Sequence, residues 1–175
     1  LAGQRSRFVT ITTIEQDNFC ALPQTIQDDQ WQWSGHCIGW SLSESTTTEA
    51  AVVLIHGFGA NTRHWRHNHP VLGEHISCYA VDLLGFGRSD QPIAHLPGDP
   101  DHPDGVTYGF DLWGEQIRAF CQTIVKRPVV LVGNSIGGVA ALRAAQLLGE
   151  DFCRGVVLID CAQRLMDDKQ LATQP

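Results

Sequence analysis

The spacing of apolar positions changes near residue 50 of the chain. Upstream, residues 31–35 and 36–42 alternate apolar and polar side chains around a Ser-Gly pair, which predicts an antiparallel hairpin with one buried face. Downstream lie four continuous apolar runs, at residues 51–55, 78–81, 129–132 and 156–159. Such runs are typical of strands buried on both faces of a parallel sheet. Segments suited to helices lie between them, at residues 62–74, 110–126 and 136–148.

This alternation predicts the α/β class: a doubly wound, mostly parallel sheet that begins with an antiparallel hairpin. Residues 8–14 could add a strand, whereas residues 24–30 are polar and predict a loop. Residues 91–105 hold four of the eight prolines, which predicts a long exposed loop. The histidines and aspartates of that loop match no metal-ligand spacing, so we expect no metal and no cofactor.

The charge narrows the class of partner, and the cysteines indicate the compartment. The chain carries 12 basic and 19 acidic residues, a formal net charge of −7, which argues against nucleic acid or an anionic membrane surface. The longest apolar stretch, residues 50–55, is too short to cross a bilayer, so no stable membrane insertion is expected. The six cysteines are scattered and indicate reduced thiols in the cytoplasm, or in the plastid stroma if the source is a plant or alga. The pattern does not predict an oligomeric state.

The strongest chemical signal is the G-x-S-x-G sequence formed by Gly133, Ser135 and Gly137, which follows an apolar run and opens a predicted helix. A serine on such a sharp strand-to-helix turn is forced out of the sheet with its Oγ exposed, and the glycines remove side chains that would clash. We therefore predict Ser135 to be a nucleophile. The alternative is an ordinary tight turn in which Ser135 caps the helix.

A second glycine-rich turn, His56-Gly57-Phe58-Gly59, follows the run at residues 51–55. Serine attack on a carbonyl needs two hydrogen-bond donors aimed at the resulting oxyanion. We predict these to be the backbone N–H groups of Phe58 and Ile136. His56 is predicted to support the loop, with a proton-transfer role as the alternative.

Each of two further segments allows two roles. Residues 82–90, punctuated by glycines, are expected to pack and hydrogen-bond beneath the site rather than to touch substrate. Trp65 could line the substrate pocket or belong to the core. Five basic side chains around it predict a solvated helix face, on which an anionic group could bind Arg66: Arg63, His64, Arg66, His67 and His69.

Taken together and in this order, three local sequences resemble the α/β-hydrolase superfamily over residues 31–165. They are His56-Gly-Phe-Gly-Ala-Asn61 with His64-Trp-Arg66, Asp82-Leu-Leu-Gly-Phe-Gly-Arg-Ser-Asp90, and Gly133-Asn-Ser-Ile-Gly-Gly138. In that combination they are similar to the pheophytinase-like branch of plants and cyanobacteria, whose members hydrolyse the phytol ester of magnesium-free chlorophyll pigments. Many related esterases and C–C bond hydrolases share these stretches.

The resemblance implies a Ser–acid–His triad in chain order, with a cap inserted before the histidine. Ser135 matches the nucleophile, and Phe58 and Ile136 match the oxyanion donors. Asp160, at the end of an apolar run, is a weak match to the acid, and no histidine follows Ser135. We therefore expect residues 1–175 to be a single, truncated α/β-hydrolase domain that lacks the last strands, the cap and the base.

These observations predict a serine hydrolase acting on an ester of a small apolar substrate, with a chlorophyll-derived pigment ester as one candidate. The residues of this chain alone are expected to be nearly inactive. One alternative is a C–C bond or thioester hydrolase with the same machinery. The other is a non-catalytic binding module or inactive fragment without a catalytic histidine.

Overall fold

The computed structural model describes residues 25–46, 49–95 and 105–161, together with Gly98. The strand predicted at residues 8–14 and most of the loop predicted at residues 91–105 lie outside these ranges. Within them, no helix is both long and apolar enough to span a bilayer.

The described residues contain one six-stranded sheet and helices on both of its faces. The strands are β1 (Gln27–Trp33), β2 (His36–Ser43), β3 (Ala51–Ile55), β4 (Ser77–Val81), β5 (Val129–Asn134) and β6 (Cys153–Ile159). The α-helices are α1 (His69–Gly73), α2 (Phe110–Phe120) and α3 (Ile136–Leu148), and there is a 3₁₀ helix at Thr62–Trp65 and a π-helical turn at Cys121–Val125.

The strand order is β1-β2-β4-β3-β5-β6. β1 pairs with β2, and β2 with β4, in antiparallel register, whereas β4, β3, β5 and β6 run parallel. The predicted fold class, a mostly parallel sheet with an N-terminal hairpin, is confirmed. The carboxyl ends of β3, β4 and β5 lie at one edge, so the loops that follow them meet there.

The hairpin turn forms at Ser34 and Gly35, which both have positive φ, of 49° and 80°. Two such residues suit the tight turn whose twist matches that of the flanking strands. The prediction of a loop over residues 24–30 is wrong in part, because β1 starts at Gln27. β1 is an edge strand, and its first four residues are exposed. Backbone pairing with β2 is what makes these residues a strand, so they need no apolar pattern.

The single helix predicted over residues 62–74 is wrong. Asn61 Oδ1 accepts a hydrogen bond from the N–H of Arg63 at 2.9 Å and starts the 3₁₀ helix, and α1 begins separately at His69. Pro70 lies in the first turn of α1, and a proline has no N–H and disfavours helical backbone in the residue before it. The predicted solvated face is also corrected, because His69 is buried and its Nε2 donates to the Cys78 carbonyl at 2.7 Å.

Two apolar cores lie on opposite faces of the sheet. The larger core is covered by α2 and α3, with Ile117, Phe120 and Ala141 fully buried. The smaller core lies on the α1 side and packs Trp65 and Leu72 against Leu54 and Ala80 of the sheet. Burial on both faces explains why β3 and β4 are continuously apolar.

β6 is an edge strand of the described sheet, paired with β5 on one side. Its last three residues, Val157, Leu158 and Ile159, are 41%, 42% and 40% exposed. An apolar edge with unpaired backbone groups can add a strand from another molecule.

We predict that Leu158→Lys decreases self-association of the chain, because a charged side chain disfavours strand addition at an edge. The matched control is Leu142→Lys, which changes a 46% exposed leucine on α3. Static light scattering against concentration measures the effect. If both variants associate as strongly as the unmodified chain, β6 is not the adhesive edge.

Candidate active site

Ser135 lies between β5 and α3 with φ of 52° and ψ of −121°. This is a strained backbone conformation for a residue with a side chain, and it occurs where the surrounding structure imposes it. The alternative of a helix cap is wrong, because the Ser135 side chain makes no capping hydrogen bond. Its N–H donates to the Ile159 carbonyl at 3.0 Å, and its carbonyl accepts from Gly138 at 3.0 Å. The turn is held by backbone contacts and leaves the hydroxyl uncommitted.

The glycines on either side of Ser135 permit a close approach of backbone segments. A Cβ on Gly133 would overlap the backbone of Gly137, with the Gly137 carbonyl carbon only 2.5 Å away. A Cβ on Gly137 would overlap the carbonyl oxygens of His56 and, at 2.6 Å, of Ile55. The first turn of α3 therefore lies directly against the end of β3, which no larger residue would allow.

The loop after β3 reaches the same point. A Cβ on Gly57 would lie 2.9 Å from Asn134 Oδ1 and 3.2 Å from Ser135 Cβ. Gly59, with φ of 67°, lets the loop turn away toward the 3₁₀ helix. The loop that carries Phe58 is thus packed against the turn that carries Ser135.

The two predicted oxyanion donors occupy suitable backbone positions. Ile136 is the first residue of α3, where a backbone N–H has no partner within the helix. Within the described part of the chain, the N–H of Phe58 has no backbone partner either. The partial positive charge at the start of α3 adds to the attraction for an anion next to Ser135.

His56 is fully buried and both of its ring nitrogens are engaged. The N–H of Leu83 donates to Nε2 at 3.0 Å, so Nε2 is unprotonated and Nδ1 must carry the hydrogen. Nδ1 donates to the Gly57 carbonyl at 2.7 Å. Burial lowers the pKa of His56, and the charge of Asp82 opposes that effect only in part. A neutral imidazole with two committed nitrogens supports the loop after β3 and has no free nitrogen for proton transfer.

The loop after β4 is anchored by the buried carboxylate of Asp82. One oxygen accepts from the N–H of Thr62 at 2.6 Å and the other from that of Arg88 at 3.0 Å. Gly87 leaves room for the carboxylate, because a Cβ there would lie 2.5 Å from Asp82 Cγ. These bonds tie the loops after β3 and β4 together beneath the site, as the glycine punctuation predicted.

Two residues of α2 complete this anchor and were missed from the sequence. Gln116 is fully buried, accepts from Leu84 N–H at 2.9 Å and donates to the Asp82 carbonyl at 3.0 Å. Trp113 donates from Nε1 to the Leu84 carbonyl at 3.0 Å. A glutamine on the apolar face of an amphipathic helix was the available signal, since buried polar side chains need hydrogen-bond partners.

Trp65 belongs to a core, whereas Asp160 lies next to a residue that contacts the backbone of Ser135. Trp65 is buried in the smaller core, and its Nε1 has no hydrogen-bond partner within the described residues. Asp160 is exposed, with φ of 45°, just after the Ile159 carbonyl that binds the N–H of Ser135. No contact joins either side chain to Ser135 within the described ranges.

An exposed aromatic side chain lies on the loop that packs against the turn of Ser135. The Phe58 ring is 78% exposed and meets Phe86 edge to face, with 5.4 Å between ring centroids. Phe86 in turn meets His56 at 5.6 Å and Trp113 at 5.9 Å. A large apolar ring in solvent beside a candidate nucleophile provides a surface for an apolar ligand. The described residues contain no cluster of side chains able to hold a metal ion.

Comparison with known proteins places this geometry in a family. Residues 52–174 match the model of the alpha/beta hydrolase family, so the chain belongs to the α/β-hydrolases. It is 30% identical over 129 residues to the chloroplastic pheophytinase of Arabidopsis thaliana, a match that covers 63% of this chain and 26% of the relative.

Other relatives include lipases. The chain is 28% identical over 120 residues to the human (lyso)-N-acylphosphatidylethanolamine lipase, covering 69% of this chain and 32% of the enzyme. Its fold matches the crystal structure of a bacterial membrane phospholipase A with a TM-score of 0.63 and 28% identity, over 78% of this chain and 40% of that one. The chain thus spans about a quarter to a third of the curated relatives it matches.

We predict that Gly133→Ala lowers the free energy of unfolding by at least about 2 kcal/mol, because the new methyl would overlap backbone atoms that cannot move independently. Gly155→Ala is the matched control in β6, where a Cβ meets nothing within 4 Å, and it should stay within about 0.5 kcal/mol. Urea unfolding measures both. Equal stability of the two variants would contradict the close approach of α3 to β5.

A second prediction concerns pH. A histidine whose folded pKa is lowered stabilises the fold above its unfolded pKa of about 6.5, and that stability is lost as the pH falls toward the folded pKa. His56 should therefore make the melting temperature fall between pH 7.5 and pH 5.5. His56→Gln can still accept a hydrogen bond from the N–H of Leu83 and should make that decrease smaller. The exposed control His67→Gln should leave the decrease unchanged. The same fall in all three proteins would rule out a buried neutral His56.

Proposed function

We propose that this chain carries the nucleophile and oxyanion hole of a serine hydrolase that cleaves an ester of an apolar substrate. Ser135 Oγ attacks the ester carbonyl, and the carbonyl oxygen gains negative charge in the tetrahedral intermediate. The N–H groups of Phe58 and Ile136 donate to that oxygen. The alcohol leaves, an acyl-enzyme remains on Ser135, and water then releases the acid.

The backbone of Ser135 is the observation that carries this proposal. Its φ of 52° and ψ of −121° are unfavourable in free energy, and its side chain makes no capping hydrogen bond that would offset this. Two glycines that allow no Cβ fix the turn against the loop of Phe58. Strain of this kind is expected where a side chain must be presented to a ligand.

The proposal assigns the general base to a histidine other than His56. The Ser135 hydroxyl needs a neighbour to take its proton, and His56 has neither a free nitrogen nor a raised pKa. His69 is likewise buried and bonded to Cys78. Asp160, exposed one residue beyond the Ile159 carbonyl, stays a candidate for the acid.

The substrate class is proposed from the aromatic side chains of the loops near Ser135 and from the relatives. Phe58 and Phe86 offer an apolar surface to an acyl chain or an extended ring system. One relative is named a pheophytinase, and another a lipase of (lyso)-N-acylphosphatidylethanolamine. A chlorophyll-derived pigment ester is the specific candidate suggested by the resemblance to pheophytinase.

A non-catalytic binding role is the second candidate, and one observation favours it. Both ring nitrogens of His56, the histidine at the start of the loop packed against Ser135, are occupied, so His56 cannot take the proton of Ser135. In that role the site would bind an apolar ester without cleaving it. A thioester or C–C bond hydrolase would use the same serine. It differs from the proposed ester hydrolase in the substrate that it cleaves.

We predict that a fluorophosphonate probe labels the full-length protein at Ser135 and that Ser135→Ala abolishes labelling. Intact-mass and peptide mass spectrometry locate the adduct. Ser34→Ala is the matched control, because Ser34 also has positive φ but lies in the hairpin turn, and labelling should persist. Labelling that survives Ser135→Ala would overturn the assignment, whereas no labelling in any variant would favour the binding role.

A further inference from the structure

A cavity of about 200 Å³ opens between the hairpin and the 3₁₀ helix, away from Ser135. We call it the Arg63 cavity, and its lining consists of Ile26, Asp28, Ser41, Thr62, Arg63, Arg66 and His69. Ser41 lies on β2, which β4 and β3 separate from β5. Three strand spacings correspond to about 14 Å. The wall of the cavity at Ser41 thus lies on a different part of the sheet from Ser135.

The cavity has uncompensated positive charge. Asp28 is its only carboxylate, and that group is already paired with Arg88 at 3.1 Å. Arg88 also contacts Asp82 at 3.5 Å and donates to the Trp40 carbonyl at 2.8 Å, so it is fully committed. Within the described residues, neither Arg63 nor Arg66 pairs with a carboxylate. These two guanidinium groups without a carboxylate partner form a positively charged patch on a chain whose net charge is −7.

The wall between the arginines is polar and buried. Ser41 is 2% exposed and Thr62 is 6% exposed, and both line the cavity. In the described part of the chain, neither hydroxyl has a hydrogen-bond partner, and both remain accessible to water. A bound oxyanion can therefore accept a hydrogen bond from each hydroxyl in place of that water.

The scaffold of the cavity is rigid. The N–H of Thr62 is fixed on Asp82 Oδ1, and that of Arg63 on Asn61 Oδ1. His69 donates from Nε2 to the Cys78 carbonyl, so its side chain cannot rotate away. A second depression of about 260 Å³ shares Thr62 and Arg63 and places Arg63 between the two hollows. The backbone that carries the side chains of Thr62 and Arg63 is thus fixed.

We propose that the Arg63 cavity binds a phosphate-type oxyanion, held by Arg63, Arg66 and the hydroxyls of Ser41 and Thr62. Guanidinium groups recognise phosphate through paired, charge-assisted hydrogen bonds, and a hydroxyl can donate a further one. Thr62 follows the loop of Phe58 by four residues, so an occupied cavity also stiffens the segment leading away from the oxyanion loop. Binding does not depend on Ser135.

Titration calorimetry with inorganic phosphate in low-salt buffer tests the proposal. The unmodified protein should bind phosphate, and Arg66→Gln should weaken binding at least about tenfold, a typical loss for one charge-assisted contact. Ser41→Ala should weaken it less. The matched control is Arg154→Gln on β6, which removes the same charge from another part of the surface and should leave affinity within about twofold. Ser135→Ala should bind as the unmodified protein does, which separates this proposal from the hydrolase.

A second arm distinguishes the source of the oxyanion. Co-sedimentation uses phosphatidylcholine vesicles with and without phosphatidic acid, for the unmodified protein and for Arg66→Gln. Sedimentation that needs both phosphatidic acid and Arg66 identifies a lipid headgroup, whereas phosphate binding without sedimentation identifies a soluble phosphate. Either result supports the cavity. Phosphate affinity that is absent, or equal in Arg66→Gln and the unmodified protein, overturns it.

Discussion

The contact between the first turn of α3 and the ends of β3 and β5 is the constraint on which the site depends. Gly133 and Gly137 allow backbone atoms to meet where any Cβ would overlap them. That contact holds Ser135 at a positive φ, which is the basis for our proposal that its side chain is presented to substrate. It also places the N–H of Ile136 beside the loop of Phe58. Strain at one residue is sustained by backbone packing around it.

A second set of contacts holds the opposite side of the site. His56, Asp82 and Gln116 are buried polar groups, each with hydrogen bonds to backbone in the loops after β3 and β4. None of them needs to react. Their common role is to hold the backbone N–H groups of Leu83, Thr62 and Leu84 in fixed directions beneath the site. The family relationship rests on the family model that residues 52–174 match.

Much of this architecture could be predicted from the sequence. The bounds of α3, the parallel runs and the hairpin turn follow from periodicity and glycine placement, because these features are local. β1 was missed at its start because an edge strand needs backbone pairing and no apolar pattern. The predicted helix over residues 62–74 ignored Pro70, and the burial of His69 and Gln116 depends on partners distant in sequence. Side-chain orientation is set by tertiary contacts that a linear pattern does not contain.

The central claim is that Ser135, Phe58 and Ile136 act on one substrate carbonyl group, Ser135 on its carbon and the two N–H groups on its oxygen. A crystal structure of the protein after reaction with a fluorophosphonate tests it most directly. The account predicts a phosphorus–oxygen bond to Ser135 Oγ, with the phosphoryl oxygen about 2.7–3.1 Å from the backbone nitrogens of both Phe58 and Ile136. An adduct on Ser135 whose phosphoryl oxygen points into solvent, away from both nitrogens, would contradict it.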